Sequence, residues 1–492
     1  MRKHLTGMCV SKLYRPRLGL LMNKVYIPKI TTKFVAPFLY NDGENPQQLM
    51  YSGRPENRVF TSRYKNNKYI LGIQTNFGNI SLSLVNKEAK VASYTESRMF
   101  NHKNTFSKVS RDNLMEWTEE TLQKCLKEVL KSSGLNYSKI QAIVVNLGPG
   151  EDHILGQGLQ LAKKLGSKHS LPVYGVNSHE AHIFSNRMDS LKEGKPSMRL
   201  PYFNVVASNN LTQLAYTKDV GKHRIFGTTI DIGLGNCLDK IYVKGFRAYP
   251  EFAKVLNNKE LQEEYLNYCL KNGIRVTPND FDFLKNEDPY GGQFIENLAK
   301  LGNPFEFKYT VPMQKDNSTD LSYTGFWTSV LASIRHKRDM FKAPENTDQI
   351  SVLCDIAASA QHIAFRQVDL KTRRALELVK KMKLPINTLN LCGGCSVNSK
   401  LQDVMKEVAK DYQMSLRVPS KKFGSDNATM IAWMGWEYIN SRNPININDR
   451  NIHPLNNIPL GNYIDYMGSS FKGVGRVKKF GSKWQRELAG DR

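Results

Sequence analysis

Phe203-Asn-Val-Val-Ala-Ser-Asn-Asn-Leu-Thr-Gln-Leu-Ala-Tyr216, followed by Gly227-Thr-Thr-Ile-Asp-Ile-Gly-Leu-Gly-Asn-Cys-Leu-Asp-Lys240, is the stretch on which the reading of this chain turns. Two apolar runs broken by Ser208, Asn209 and Asn210 predict a hairpin, because Asn tolerates positive φ and bonds its own backbone. The second part predicts a strand ending in Asp231 and a short helix reaching Asp239, with acids two turns apart on one face. A turn whose N–H groups face a ligand, beside carboxylates able to hold a ribose or a metal, is the chemistry of a nucleotide phosphate site. The same residues also suit a surface hairpin and a solvated helix, so other stretches have to decide.

Upstream, Tyr69-Ile-Leu-Gly-Ile-Gln-Thr75, a turn at Asn76-Phe-Gly-Asn79 and Ile80-Ser-Leu-Ser-Leu-Val85 repeat that layout about 130 residues earlier. An internal duplication is expected. After a third strand near Lys90 to Thr95, a helical pattern runs from Leu114 to Gly134, a strand from Ile140 to Leu147 closes on Gly148-Pro-Gly150, and a helix follows to His169. Strand and helix alternate, which predicts α/β layers covered on both faces. Residues 251–342, rich in Asn and Lys with scattered aromatics, read as a mainly helical insertion ending in a strand or turn at Leu321 to Gly325. A long helix from Gln349 to Met382, a strand Thr388 to Leu391, a helix to Tyr412 and a strand Ser415 to Val418 follow. Ser425-Asp-Asn-Ala428 then opens one more helix, with an acid where the helix dipole favours it.

The chain has 492 residues and a formal net charge of +25, with a mean hydropathy of -0.47. No apolar run approaches the roughly 20 residues of a membrane span, so no membrane partner is expected. The charge points to a polyanion such as nucleic acid, although organellar proteins are often basic for general reasons. Seven scattered cysteines fit a reducing compartment. No acid precedes Asp42, while Arg2, Lys3, Lys12, Arg15 and Arg17 are spread among apolar residues, as in a mitochondrial transit peptide. The expected organisation is a transit segment 1–40, a linker 41–67, a first lobe 68–200, a second lobe 201–440 containing the insertion 251–342, and a basic C-terminal extension 441–492. The last helix of the second lobe is expected to pack back on the first.

Cys392-Gly-Gly-Cys395 suits a redox pair or, more simply, glycines that let backbone approach a ligand. His179 and His182 share a helical face and could bind a metal with Asp426, or serve the core. The H-E-x-x-H pattern of a zinc protease is absent, because Glu180 lies between histidines at the wrong spacing.

Taken together these stretches resemble the tRNA threonylcarbamoyladenosine transferase family, and its mitochondrial branch in particular. Ile70 to Thr75 is similar to the family's opening strand, Ser110-Arg-Asp112 to its S-R-D signature and Gly148-Pro-Gly150 to its G-P-G loop. Thr229 to Lys240, Asp355-Ile-Ala-Ala-Ser-Ala-Gln361, Gly393-Gly-Cys-Ser-Val-Asn398 and Ser425-Asp-Asn-Ala-Thr-Met-Ile-Ala432 follow in collinear order. The resemblance implies an actin-like duplicated α/β fold with a central nucleotide cleft. It also implies transfer of a threonylcarbamoyl group from its adenylate, made by a partner synthase, to N6 of the adenosine beside the anticodon of mitochondrial tRNAs reading ANN codons, by a homodimer in the mitochondrion.

By position the resemblance places Ser208, Asn209, Asn210, Asp239, Asn398 and Ser425 at the donor. It places His182 and Asp426 at one divalent metal ion, Zn or Fe, with His179 as a further candidate. Three departures fall on this chemistry: Ser178 stands where the first metal histidine is expected, Ser208-Asn-Asn-Leu-Thr212 replaces S-G-G-H-T, and Tyr249-Pro-Glu-Phe252 replaces Y-P-G-G. Losing a metal ligand should cost at least the roughly 10–100-fold in affinity seen for second-sphere changes. The alternative function is therefore a weakened or inactive paralogue acting as a binding or scaffold protein.

Overall fold

The computed structural model describes residues 68–76, 79–98, 111–192, 198–285, 290–421, 424–441, 446–454, 456 and 460–463, all within one compact unit. The expected transit segment and linker, Ser110, and the basic stretch Phe471 to Arg486 lie outside the described residues.

The first sheet is built from β1 (Tyr69–Asn76), β2 (Asn79–Asn86), β3 (Val91–Arg98), β4 (Ile140–Gly148) and β5 (Val173–Asn177), in the order β3-β2-β1-β4-β5. β1, β2 and β3 form an antiparallel meander, while β4 and β5 join in parallel. Parallel strands need helical crossovers, supplied here by α1 (Arg111–Ser133) and α2 (Asp152–His169). α1 gives way to Gly134 at φ +64°, in the left-handed region where helices commonly stop. β4 is buried along its whole length, as its unbroken apolar run requires of a strand covered on both faces.

The second sheet repeats the plan. β6 (Tyr202–Ala207), β7 (Thr212–Asp219) and β8 (Lys222–Thr228) form the meander, and β9 (Thr388–Cys392) and β10 (Ser415–Arg417) join in parallel, giving β10-β9-β6-β7-β8. Two sheets of identical strand order and sense establish the duplication, and the chain is an actin-like α/β protein. Between them runs α3 (Ser178–Lys192).

Within the second half, α4 (Leu234–Ile241), α5 (Pro250–Leu256), α6 (Lys259–Lys271), α7 (Gly291–Ala299) and α8 (Thr324–Lys337) precede the long α9 (Thr347–Lys381) and α10 (Ser399–Asp411). α9 starts with a reciprocal capping box between Asn346 and Gln349. The insertion does not hang from the lobe: Phe252, Leu266, Phe281, Phe294 and Phe341 belong to the same apolar core as Phe203, Leu214 and Val368. Leu321 forms a single bridge with Thr229, and Thr324 then begins a helix.

The final helix, α11 (Ala428–Asn440), returns to the first sheet and packs on β1, β2 and α3. It lies so close that a Cβ on Gly72 would stand 2.2 Å from the Ala428 carbonyl oxygen. The first part of the expected C-terminal extension forms a strap. Val173 and Ile447 bond through their backbones at 2.8 Å, Asp152 N–H donates to Asn456 Oδ1 at 2.8 Å, and β11 (Asn462–Tyr463) adds in parallel to β8. Its Asn side chains satisfy backbone donors that composition alone could not assign.

Candidate active site

The second-lobe wall is the turn between β6 and β7. Ser208 N–H donates to Leu211 O at 3.1 Å, and its hydroxyl donates to the same oxygen at 2.6 Å. Neither Asn209 nor Asn210 is among the described residues with positive φ, so the expectation that Asn was needed there for left-handed backbone is corrected. The longer turn, closed through Ser208, removes that need and also the strain expected from losing two glycines.

The first donors of α4 hold this turn. Leu234 N–H donates to Thr212 Oγ1 at 3.0 Å, while Gly235 and Asn236 donate to the carbonyls of Ser208 and Asn209 at 3.2 and 3.1 Å. Helix N-termini carry donors without intrahelical partners, and here the turn takes them up. What faces outward is the side chains of Asn209 and Asn210, both exposed, with Asp239 half-buried farther along α4. Asp231 and Asp239 do not share a helical face, because α4 begins only at Leu234. Asp231 instead accepts from the Ser322 hydroxyl at 2.6 Å and from Tyr323 and Thr324 N–H at 3.0 and 2.9 Å, capping the start of α8. Burial raises its pKa, but these donors outweigh it and hold the carboxyl below its ordinary range.

Beside the turn, Gly393 sits at φ +88°, where a Cβ would lie 2.5 Å from the Ala207 carbonyl oxygen. Only glycine lets this loop lie against β6, so the close approach that Gly393 makes is to protein backbone, whereas the sequence suggested a ligand. Both thiols are free; burial raises that of Cys392 and, with Asp239 nearby, pushes that of Cys395 up to about 12. Asn398 is engaged at both ends of its amide. Its Oδ1 accepts from Lys400 and Leu401 N–H at 3.0 and 3.2 Å, and its Nδ2 donates to Gln361 at 3.0 Å. It is the N-cap of α10, a role its place before an amphipathic run could have signalled. Ser425 is exposed.

On the first-lobe wall, His179 and His182 are both buried on α3. His182 Nε2 lies 2.6 Å from Asp426 Oδ1, and Asn76 Nδ2 donates to Asp426 Oδ2 at 2.8 Å. Asn76 was not foreseen as a site residue, although it ends the strand whose counterpart leads into the donor turn. Burial raises the Asp426 carboxyl, but His182, His179 and Asn76 hold it below its usual value. His179 reaches across to the second lobe, with Nε2 3.3 Å from Ser208 Oγ. Burial, with His182 beside it, lowers its pKa to about 4, so the ring is neutral at physiological pH. Glu180 points elsewhere, into a buried cluster with His223 at 2.8 Å, Tyr438 at 3.0 Å and Gly221 N–H at 2.8 Å.

Two ligands of one tetrahedral or octahedral ion, each about 2.0–2.2 Å from it, stand roughly 3.0–3.4 Å apart. The His182 and Asp426 atoms are closer than that, at 2.6 Å, and bonded to each other. Among the described residues no group of three His, Cys, Asp or Glu side chains converges as a metal site. His182 and Asp426 do meet, but with Ser178 in the third position the set does not fit a metal.

The Tyr249-Pro-Glu-Phe252 departure is absorbed by the insertion. Pro250 opens α5, Glu251 pairs with Arg338 at 2.7 Å, and Phe252 packs on Phe341 with ring centroids 4.4 Å apart.

Two α/β lobes of duplicated topology, touching through His179 and Ser208, define the actin-like class. The family model of tRNA N6-adenosine threonylcarbamoyltransferase matches residues 118–284 and 275–433, and the chain belongs to that family. Curated relatives include the tRNA N6-adenosine threonylcarbamoyltransferase of Microcystis aeruginosa, 26% identical over 74% of this chain and 90% of the relative. The probable mitochondrial enzyme of Arabidopsis thaliana is 24% identical over 84% and 76%. The mitochondrial enzyme of Danio rerio is 27% identical over 65% and 70%.

Proposed function

We infer that this chain transfers the threonylcarbamoyl group of threonylcarbamoyl-AMP to N6 of the adenosine adjacent to the anticodon in mitochondrial tRNAs reading ANN codons. The N6 nitrogen attacks the carbamoyl carbon, the bond from that carbon to the phosphate oxygen breaks, AMP departs, and N6 gives up a proton. The observation that carries this reading is the Ser208 turn, held by α4 and touched by His179 from the other lobe. Asn209 and Asn210 are exposed on this turn and Asp239 is half-buried on α4, which supports assigning them to one wall of the donor site. These side chains, with Ser208 and Ser425, are assigned to holding the donor, and Asn398 to fixing the helix beside it.

The scaffold reading drew on Ser178, Leu211 and the two Asn residues. The Asn positions lie outside the left-handed region, which takes away part of its support. The divalent ion implied by the resemblance enters no step, because His182 and Asp426 meet without a third donor beside them. The positive charge of the chain suits a tRNA backbone, with affinity falling as salt rises. Mitochondrial relatives and the acid-free segment before Asp42 support a mitochondrial site of action. A partner synthase as donor source and a homodimer rest on the family resemblance alone.

Purified protein mixed with such a synthase, threonine, bicarbonate, ATP and mitochondrial tRNA should yield the modified nucleoside by mass spectrometry. Absence of product beside an active bacterial relative would reject the reading.

A further inference from the structure

Asp426 lies on the segment that crosses from β10 to α11, so whatever grips it decides where the last helix enters the first lobe. Both carboxylate oxygens are engaged, Oδ1 by His182 at 2.6 Å and Oδ2 by Asn76 at 2.8 Å. Of the nearby groups, Glu180 is held by His223, Tyr438 and Gly221, and His179 Nε2 faces Ser208, leaving its buried Nδ1 without a hydrogen-bond partner. Ser178, at the expected ligand position, offers only a neutral hydroxyl, which is buried without a hydrogen-bond partner.

We propose that the direct His182–Asp426 hydrogen bond occupies the place of the family's divalent ion, so that protein groups alone fasten the crossing segment to the first lobe. With a third donor missing, an ion held by one imidazole and one carboxylate would keep most of its water and bind weakly. A short hydrogen bond to a carboxylate, among the stronger kinds a protein makes, needs no third donor. Asn76 completes the arrangement by fixing the carboxylate plane, which makes it a positioning residue for the latch.

The inference rests on family membership and not on the transfer reaction. An inactive chain without metal would sink only the proposed function, and an active chain carrying metal would sink only the latch. Untagged full-length protein, equilibrated with Zn²⁺ or Fe²⁺ and then desalted, is analysed for bound metal, and its Tm is read with and without EDTA. Metal well below one ion per chain is expected, with the same Tm in both media. Asp426→Asn should lower Tm by about 2–4 °C, equally with and without chelator. One tightly held ion per chain, lost in His182→Gln or Asp426→Asn, overturns the latch. Should either variant fail to fold, the parent's metal content still decides.

Discussion

The two hairpins that open the lobes pair their strands alike, both antiparallel, and differ in what fastens them. In the first, Thr75 N–H donates to Asn146 Oδ1 at 2.9 Å and Asn146 Nδ2 returns a bond to Thr75 O at 2.8 Å. The neighbouring Asn76 reaches Asp426. Side chains do the fastening there. In the second, backbone groups of α4 hold the turn, leaving the Asn209 and Asn210 side chains outward. Duplication thus fixes the scaffold twice, while the polar groups divide into one hairpin that anchors and one that presents.

Three changes would break or sharpen that contrast. The largest effect is expected from Gly72→Ala, whose new methyl would meet the Ala428 carbonyl and the Ala432 amide at 2.2 and 2.7 Å. Backbone cannot rotate away as a side chain can, so α11 should lift from β1 at about 2–3 kcal/mol, read by chemical denaturation. A cost below about 0.5 kcal/mol would show that the anchoring side is looser than described.

Next comes Asp231→Ala, expected to remove about 1–2 kcal/mol by uncapping α8. Because the folded carboxyl titrates below its unfolded value, its contribution is complete above about pH 4 and is lost as pH falls through the lower folded value. Asp231→Asn should therefore flatten the acid limb of the stability curve. A donor KM that rises while stability holds would instead move Asp231 into the cleft.

The smallest effect on stability belongs to Asn209→Gly with Asn210→Gly. Both positions are exposed and outside the left-handed region, so the unfolding free energy should hold to within about 0.5 kcal/mol. Donor KM should still rise if the second hairpin presents these side chains. An unchanged KM in steady-state transfer assays would remove them from the site.

Much of the architecture was legible because periodicity and turn residues are local signals. The buried run of β4, the stop at Gly134 and the paired hairpins could be read directly, and so could the collinear signatures. The separation of Asp231 from Asp239 could not, because a single strand bridge at Thr229 and Leu321 delays the helix and gives Asp231 to α8. The insertion was read as an addition because Asn and Lys hide its Phe residues, which point into the second core.

By itself the sequence determined the duplicated α/β plan and the family, since both are written in residue order and spacing. It also put Ser178 where the family resemblance implies a metal histidine. Only the tertiary structure decided what replaced it. Asn76 and Asp426 are 350 residues apart in the chain, and hydrogen bonds over such distances exist only once the crossing segment has docked. The same docking brings His182 Nε2 onto Asp426 and His179 Nε2 toward Ser208, because a buried polar atom gains from a partner that only folding carries within reach.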